Sequence, residues 1–448
     1  MMKNIIYTVI VVCLSFHADA QSITKEQALS DVKWCRHMLE SLHPSLCRYT
    51  AKNVVDSIFN DIERRCREAL PDSINACYIP TVLAQYNYLF DCHTLVFPNN
   101  LVYKTKKIFP PVVWSEDEKM FLGDNNLEVL SINGVKADSI VCWLSCLKGK
   151  ESNSKGNYIL WTLSPRLPWC LDFHGIFPPY RVGAKTREGQ DTTITLDGVS
   201  EQEAVRQQIQ IATQLYAFPP KASGDLFLGG NPPYRFQIYP EESIAIIRYN
   251  KSFWPDEYPE TDSLIHHFFQ DCAHHNIQYL FFDVSRNEGG VLKSYDLFGP
   301  YLKFKRKRYE RLYLERDGTQ GWHDLSIENR IDRGVKPFAG QIFVYQSFNT
   351  GSATSMFCSV IKATTNAVLV GTETGQGLPL TGGVKDHPLP NSDGFVRIPK
   401  QCQLAERSKL RRDSNGCLLP DIPYPFLTDR WLDVQDCKKI IDLKNNLK

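Results

Sequence analysis

The sequence has no excess of charge of one sign, no second long apolar run and no paired metal-binding motif. Lysine and arginine total 51 against 50 aspartate and glutamate residues, a formal net charge of +1. Such a balance removes the general electrostatic attraction that nucleic acid or an anionic membrane surface would exploit. Beyond residue 20 no stretch is long and apolar enough to span a bilayer, which takes about 20 apolar residues. No Cys-x-x-Cys pair and no zinc-type Cys/His spacing occurs. The chain is therefore expected to need no metal or other cofactor. Internal repeats and low-complexity tracts are missing too.

What remains describes a globular protein. The chain has 448 residues, 43% of them hydrophobic and 23% charged, too long for one ordinary core. Residues 1–20 read as an export leader. Lys3 gives the charged start, Ile5 to Phe16 the apolar stretch, and Ala18-Asp19-Ala20 the small-x-small cleavage site. Cys13 lacks the small preceding residue of a lipoprotein signal, so a soluble periplasmic or extracellular product is expected. Fourteen cysteines less Cys13 leave an odd thirteen, so at least one thiol stays free or pairs between chains. Cys142 and Cys146 lie one helical turn apart and are expected to be buried as small apolar residues.

Three regions follow the leader. Residues 21–95 read as helical. Thr24 and Gln27 form a capping-box pattern, and apolar stripes run through Leu29 to Leu42, Val55 to Ile62 and Val82 to Phe90. Residues 96–235 are proline-rich and strand-like. They include a strand ending in the Asn133-Gly134 turn, a short helix over Ile140–Leu147, a strand over Thr192–Leu196, and a linker over 224–233. Residues 236–448 alternate strands and helices: strands over Ser243–Tyr249, Tyr279–Val284, Ile342–Tyr345 and Val368–Gly371, helices over Ser263–His275, Val291–Leu302 and Ser352–Thr364. That alternation predicts an α/β layered core.

Two of these transitions carry chemistry. Tyr279 to Val284 breaks into Ser285-Arg286-Asn287-Glu288-Gly289-Gly290, whose bare glycine backbone admits close approach. Ile342 to Tyr345 leads to Thr350-Gly351-Ser352-Ala353-Thr354-Ser355, placing a serine at a helix start among free N–H groups. A hydroxyl nucleophile needs such surroundings, because its tetrahedral adduct carries an oxyanion.

With Asp91-Cys92-His93-Thr94, His43-Pro44, Val370 to Gly375, Leu389 to Ser392 and Gly416 to Asp421, these motifs resemble the S41 serine peptidases over nearly the whole mature chain. The resemblance implies a crotonase-like catalytic core behind a PDZ-like domain. It puts Ser352 on the nucleophile, with Ser355 and Ser359 as fallbacks. The N–H of Ala353 and one from Gly289-Gly290 form the oxyanion hole. The lysine of the Ser-Lys members is replaced by Gln376, which cannot take a proton, and Lys362 and Lys385 stand elsewhere. The resemblance then turns to the Ser-His-carboxylate type, with His93 as base and Asp413 as its orienting carboxylate. Glu406 and Glu373 compete for that last role. Asp283 and Arg286 are expected to brace the glycine turn.

Two features carry plain readings. His266, His267, His274 and His275 share one helix without a converging ligand set, and the basic run 303–308 reads as the outer face of a strand or at most a local anion patch. The expectation is an exported serine endopeptidase acting on peptide or protein substrates. A silent peptide or ligand binder on the same scaffold, and an esterase or amidase using the same site, are the alternatives.

Overall fold

The computed structural model describes residues 22–114, 119–122, 127–149, 166–216, 234–249, 251–252, 261–291, 297–306, 308–326, 334–427 and 430–446. The expected leader and the 224–233 linker lie outside the described residues. So do residues 292–296 of the expected Val291–Leu302 helix, of which Gly299–Tyr301 is a 3-10 turn.

Helices α1 (Lys25–Leu42), α2 (Lys52–Glu68) and α3 (Tyr78–Ala84) come first. The capping box forms as expected: Gln27 N donates to Thr24 Oγ1 at 3.3 Å and Thr24 N to Gln27 Oε1 at 2.8 Å. The third helix is shorter than the Val82–Phe90 stripe predicts, giving way to a 3-10 turn at Asn87–Leu89. Asn87 is the physical reason. Its buried amide accepts from Val96 N at 2.8 Å and donates to the carbonyls of Val96 and Leu147 at 3.0 and 3.1 Å. A buried amide must be satisfied, and these partners turn the chain into strand β1 (Leu95–Pro98).

The middle region holds β2 (Val112–Trp114), β3 (Met120–Leu122), β4 (Leu127–Ile132), α4 (Ala137–Ser145), α5 (Arg166–Phe173), β5 (Tyr180–Lys185), β6 (Asp191–Leu196) and α6 (Glu201–Tyr216). Its strands form an antiparallel sheet in the order β6-β5-β4-β3-β2. Asn133 and Gly134 take φ of 48° and 82°, the pair of left-handed residues a type I′ turn demands. Helices α5 and α6 are not foreseen by the strand-like reading of this region. Cys142 is exposed and Cys146 only half-buried, against their expected burial, because their helix turns that side outward.

The third region contributes β7 (Tyr234–Tyr239), β8 (Ile244–Tyr249), α7 (Thr261–His274), β9 (Tyr279–Asp283), β10 (Arg308–Glu315), β11 (Gln320–Ser326), β12 (Gln341–Gln346), α8 (Ser352–Thr364) and β13 (Val368–Gly371). Strands β14 (Leu380–Gly382), β15 (Lys385–Pro388), β16 (Gly394–Ile398), β17 (Gln401–Glu406), β18 (Ile422–Pro423) and helix α9 (Val434–Asn446) complete it. The central sheet runs β7-β8-β9-β12-β13-β18, parallel from β8 onward. Both faces are buried, which explains its continuous apolar strands. Leu280, Phe282, Ile342 and Val344 pack with α7 and α8, whereas Phe281 and Phe343 pack with α9. Burying each such phenylalanine contributes about 2–3 kcal/mol.

Two smaller sheets frame the site. One runs β11-β10-β17-β14, its hairpin turned by Asp317-Gly318. The other is β15-β16-β1, which pairs the strand after His93 with C-terminal strands, Leu95 opposite Arg397 and Phe97 opposite Phe395. The N-terminal helices accordingly share their core with Leu389, Val396 and Ile398.

Residues 303–306 of the basic run are not the strand face expected of them, whereas Arg308 opens β10 with its side chain exposed. Lys305 N and Arg306 N both donate to the Thr364 carbonyl, at 2.6 and 3.2 Å, capping the C-terminus of α8. Among the described residues no helix is long and apolar enough to cross a membrane, and no cluster of His, Cys, Asp or Glu is arranged to hold a metal ion.

Candidate active site

Strands β9 and β12 are parallel neighbours, so the loops leaving their C-terminal ends open on one edge of the sheet, where α/β proteins place ligands. The two loops are stitched together. Thr350 Oγ1 donates to the Val284 carbonyl at 2.9 Å, Ser347 Oγ to that of Ser285 at 2.5 Å, and Gly351 N to that of Asn287 at 3.1 Å. Asp283 and Arg286 brace the first loop from behind. Asp283 accepts from Ser285 Oγ at 2.7 Å and Leu432 N at 3.0 Å, and Arg286 donates to the carbonyls of Leu427 and Arg430.

Ser352 opens α8 with φ of 47°, a left-handed conformation that costs a non-glycine residue about 1 kcal/mol or more. Gly289 lies against it with φ of 113°. A Cβ on Gly289 would sit 2.5 Å from Ser352 Cβ and 3.0 Å from Ala353 N. Only glycine fits there. The Gly289 N–H itself is taken by Asn287 Oδ1 at 2.9 Å, so of the two glycines expected to supply an oxyanion donor, Gly289 is already committed. Ala353 N–H, in the first turn of its helix, has no carbonyl of that helix to bond. Among the fallback serines, Ser355 Oγ is spent on the Thr350 carbonyl at 2.9 Å, and Ser359 is buried within α8.

The second half of the site is the Asp91–Thr94 turn. Asp91 is buried and its carboxylate gathers four donors. Oδ1 accepts from His93 N at 2.9 Å and Thr381 Oγ1 at 2.8 Å; Oδ2 accepts from Thr94 Oγ1 at 2.9 Å and His43 Nε2 at 2.7 Å. His43 Nδ1 in turn accepts from Ser45 N at 3.0 Å, which places the proton on Nε2 facing Asp91. Burial alone would push the Asp91 pKa up. His43, the charge of His93 and the Thr381 hydroxyl outweigh it and bring the pKa down to about 2.

The His93 ring is half-buried, with Nδ1 3.2 Å from Thr381 Oγ1 and 3.3 Å from Gln376 Nε2. Burial lowers its pKa; Asp91 opposes that and Lys148 and Arg397 reinforce it. Gln376 joins the halves. Its Oε1 accepts the Ser352 N–H, while its Nε2 contacts Cys92 Sγ as well as the His93 ring.

The expected orienting carboxylates stand elsewhere in the network. Asp413 Oδ1 closes its own turn, accepting from Asn415 N and Cys417 N at 2.9 Å each. That turn packs on the segment after Gln376, with Leu378 N donating to the Gly416 carbonyl at 3.1 Å. Glu406 is held between Arg412 and the Tyr309 hydroxyl. Lys362 pairs with Asp421 at 2.7 Å. The carboxylate brought to the His93 ring, through Thr381, is Asp91. Sequence reasoning did not single it out, although it stands two residues before the histidine.

Residues 243–402, which contain Ser352, Gln376 and Thr381, match the sequence model of peptidase family S41. The chain thus carries a segment that matches peptidase family S41. It is a serine-type peptidase, and its substrates are peptides or proteins. Among solved structures the chain is similar to mature CPAF, at 16% identity and TM-score 0.59, covering 94% of this chain and 96% of that one. It is also similar to a serine-to-alanine mutant of CPAF, at 14% identity and TM-score 0.63, covering 90% and 93%. Mature CPAF complexed with lactacystin matches at 16% identity and TM-score 0.59, covering 94% and 98%. At these identities the likeness speaks for the mixed α/β fold. No curated protein matches the chain in sequence.

Proposed function

We propose that the chain is an exported serine endopeptidase in which Ser352 attacks the scissile carbonyl and His93 is the general base. The observation that carries this reading is the contact of one side chain, Gln376, with both the Ser352 main chain and the His93 ring. In this reading the Thr381 hydroxyl gives its proton to Asp91 and its oxygen accepts from His93 Nδ1–H, while the Gln376 Nε2 amide, a donor only, touches that nitrogen at 3.3 Å without donating to it. Nε2 is then the unprotonated nitrogen, able to take the Ser352 proton and return it to the leaving amine. Asp91, through Thr381, holds the tautomer that Asp413 was expected to hold. Asp413 keeps a supporting part, shaping the turn against Gly377 and Leu378.

The oxyanion is held by the N–H groups of Ala353 and Gly290. Gly289 contributes the bare Cα that lets the two loops meet, since its own N–H is committed to Asn287. The Ser352 N–H, committed to Gln376, fixes the strained backbone that presents Oγ. On this reading the third region is a crotonase-like core, and the antiparallel β2–β6 sheet with its helices is a PDZ-like module that offers a peptide an edge for strand addition.

The glutamine in place of lysine also fits a silent peptide binder. A fluorophosphonate probe separates the two. Labelling confined to Ser352, and lost in Ser352→Ala along with peptide cleavage, is expected; a wild-type chain that never labels supports the binder.

A further inference from the structure

The near-zero net charge of the chain hides an uneven distribution. Two basic segments, 303–308 and 407–412, come together at one end of the β11-β10-β17-β14 sheet. Strands β10 and β17 are antiparallel with Arg311 opposite Glu406, so the residues entering β10 lie beside those leaving β17. The pairing runs on past that rung, Arg407 N donating to the Glu310 carbonyl at 3.3 Å. Phe304 of one segment and Leu410 of the other pack on the same apolar core. Their neighbours Lys303, Lys305, Arg306, Lys409 and Arg411 are left exposed.

None of these five side chains forms a hydrogen bond or an ion pair among the described residues. Most acids at this end are engaged. Glu310 binds Arg407 at 2.7 Å, Glu406 lies between Arg412 and the Tyr309 hydroxyl, and Asp413 closes its own turn. Asp324, opposite Glu310 on β11, is one negative charge against five positive ones. The C-terminus of α8 also ends here, but main-chain N–H groups of Lys305 and Arg306 meet it, which leaves the side-chain charges to solvent. Trp322 flanks the patch, 43% exposed, with the Arg407 guanidinium 4.4 Å from its ring centre. A half-exposed indole beside unspent cations suits a lipid surface, where the ring sits at the headgroup level and the cations meet phosphate. A lone ring offers no run of stacking platforms for single-stranded nucleic acid.

We infer that this end of the sheet docks the protein on an anionic lipid surface. Lys303, Lys305, Arg306, Lys409 and Arg411 meet the phosphates, and Trp322 meets the headgroup boundary. Phe304 and Leu410 are turned into the core, so the contact is peripheral and electrostatic. Helix α8 starts at Ser352 and ends at Thr364, beside the patch, a span of about 18 Å. The docked surface is therefore separate from the serine turn, and the inference does not depend on the chemistry there.

The test uses the full chain and vesicles of phosphatidylcholine, alone or with phosphatidylglycerol added, read by co-sedimentation. Retention is expected on the anionic vesicles and should fall as salt shortens the Debye length. The neutral vesicles report any partition of the expected apolar leader. Lys305→Gln, Arg306→Gln and Lys409→Gln together should weaken binding by about a hundredfold, at roughly fivefold for each cation. The same change of net charge made elsewhere, with exposed Lys33→Gln, Lys136→Gln and Lys439→Gln, should leave binding within about twofold. Both triple variants should melt with the wild type, because the main-chain groups that cap α8 are kept. If the patch variant melts early, Lys303→Gln with Arg411→Gln makes the same comparison. The fluorescence lost in Trp322→Phe should shift to the blue on anionic vesicles. A wild type that is not retained on them, or is retained equally on neutral ones, overturns the inference, as does equal loss in the two triple variants. Binding to a DNA duplex or an acidic peptide in place of vesicles also overturns it, by giving the patch to another polyanion.

Discussion

Ser352 donates its backbone N–H to the side-chain oxygen of Gln376, the residue that the sequence resemblance puts in the slot of the Ser-Lys lysine. The slot is thus kept as a structural tie. Removing it leaves the Ser352 N–H without its acceptor beside a strained φ, a loss worth about 1–3 kcal/mol. Gln376→Ala is expected to lower kcat/KM by about ten- to a hundredfold while Ser352 remains in the fold. Gln376→Lys should fare no better, because an ammonium cannot accept that N–H. Steady-state kinetics of the two variants check both statements, and a lysine variant more active than wild type would contradict them.

The pH profile follows from the direction of the His93 shift. A base works when neutral, and a pKa held below the ordinary value of about 6.5 keeps it neutral further into acid. The acid limb of kcat/KM should therefore lie below that value. Lys148 depresses this pKa, so Lys148→Met is expected to move the limb upward. A limb in the wild type well above 6.5 would show that another group controls it.

Much of this fold is legible in local sequence, and the reason is physical. The Thr24–Gln27 capping box, the Asn133-Gly134 turn and the apolar strands Ile244–Tyr249 and Tyr279–Asp283 are set by contacts within a few residues or by burial on both faces. Ser352, His93 and Gly289-Gly290 are legible through motifs. What sequence hides is which partners converge. Asp91 meets Thr381 across 290 positions, and Gln376 meets Cys92 across 284. No periodicity encodes such a meeting, so Asp413, near in motif order, is the natural choice from sequence for the role here proposed for Asp91. The Val82–Phe90 stripe misleads for a related reason: the distant partners of Asn87 override helical spacing.

Asp91 gives acid lability a definite window. Its folded pKa of about 2 lies below the ordinary value of about 3.9. Its contribution is therefore complete above about pH 4 and is lost as pH falls toward 2, amounting to about 2 kcal/mol. The difference in urea stability between wild type and Asp91→Asn should shrink by about that much between pH 5 and pH 2. A difference that stays constant over that range would mean that Asp91 keeps its ordinary pKa in the fold.

Gly289 should be the site where a single methyl costs most. Its φ of 113° disfavours any side chain, and a Cβ would press on Ser352 Cβ at 2.5 Å. Gly289→Ala is expected to push the two loops apart and reduce kcat by more than a hundredfold, since small misplacements of a nucleophile are expensive. Stability should fall by about 1–3 kcal/mol. Comparison of turnover with thermal melting separates the two effects, and a fully active variant would deny the close meeting of the loops.

Ser352 itself sits in a strained backbone conformation at the site of its proposed chemistry. A serine at φ of 47° sits where glycine would be at ease. Replacing it with alanine removes the hydroxyl and keeps the strain, whereas replacing it with glycine removes both. Neither variant should turn over substrate. Ser352→Gly is nonetheless expected to be more stable than Ser352→Ala by about 1 kcal/mol, partly offset by the larger freedom of glycine in the unfolded chain. Chemical denaturation of the two inactive proteins reads that difference directly. If alanine proves the more stable, the left-handed backbone at Ser352 carries no cost, and the turn is held in place by its contacts with Gly289 and Gln376 alone.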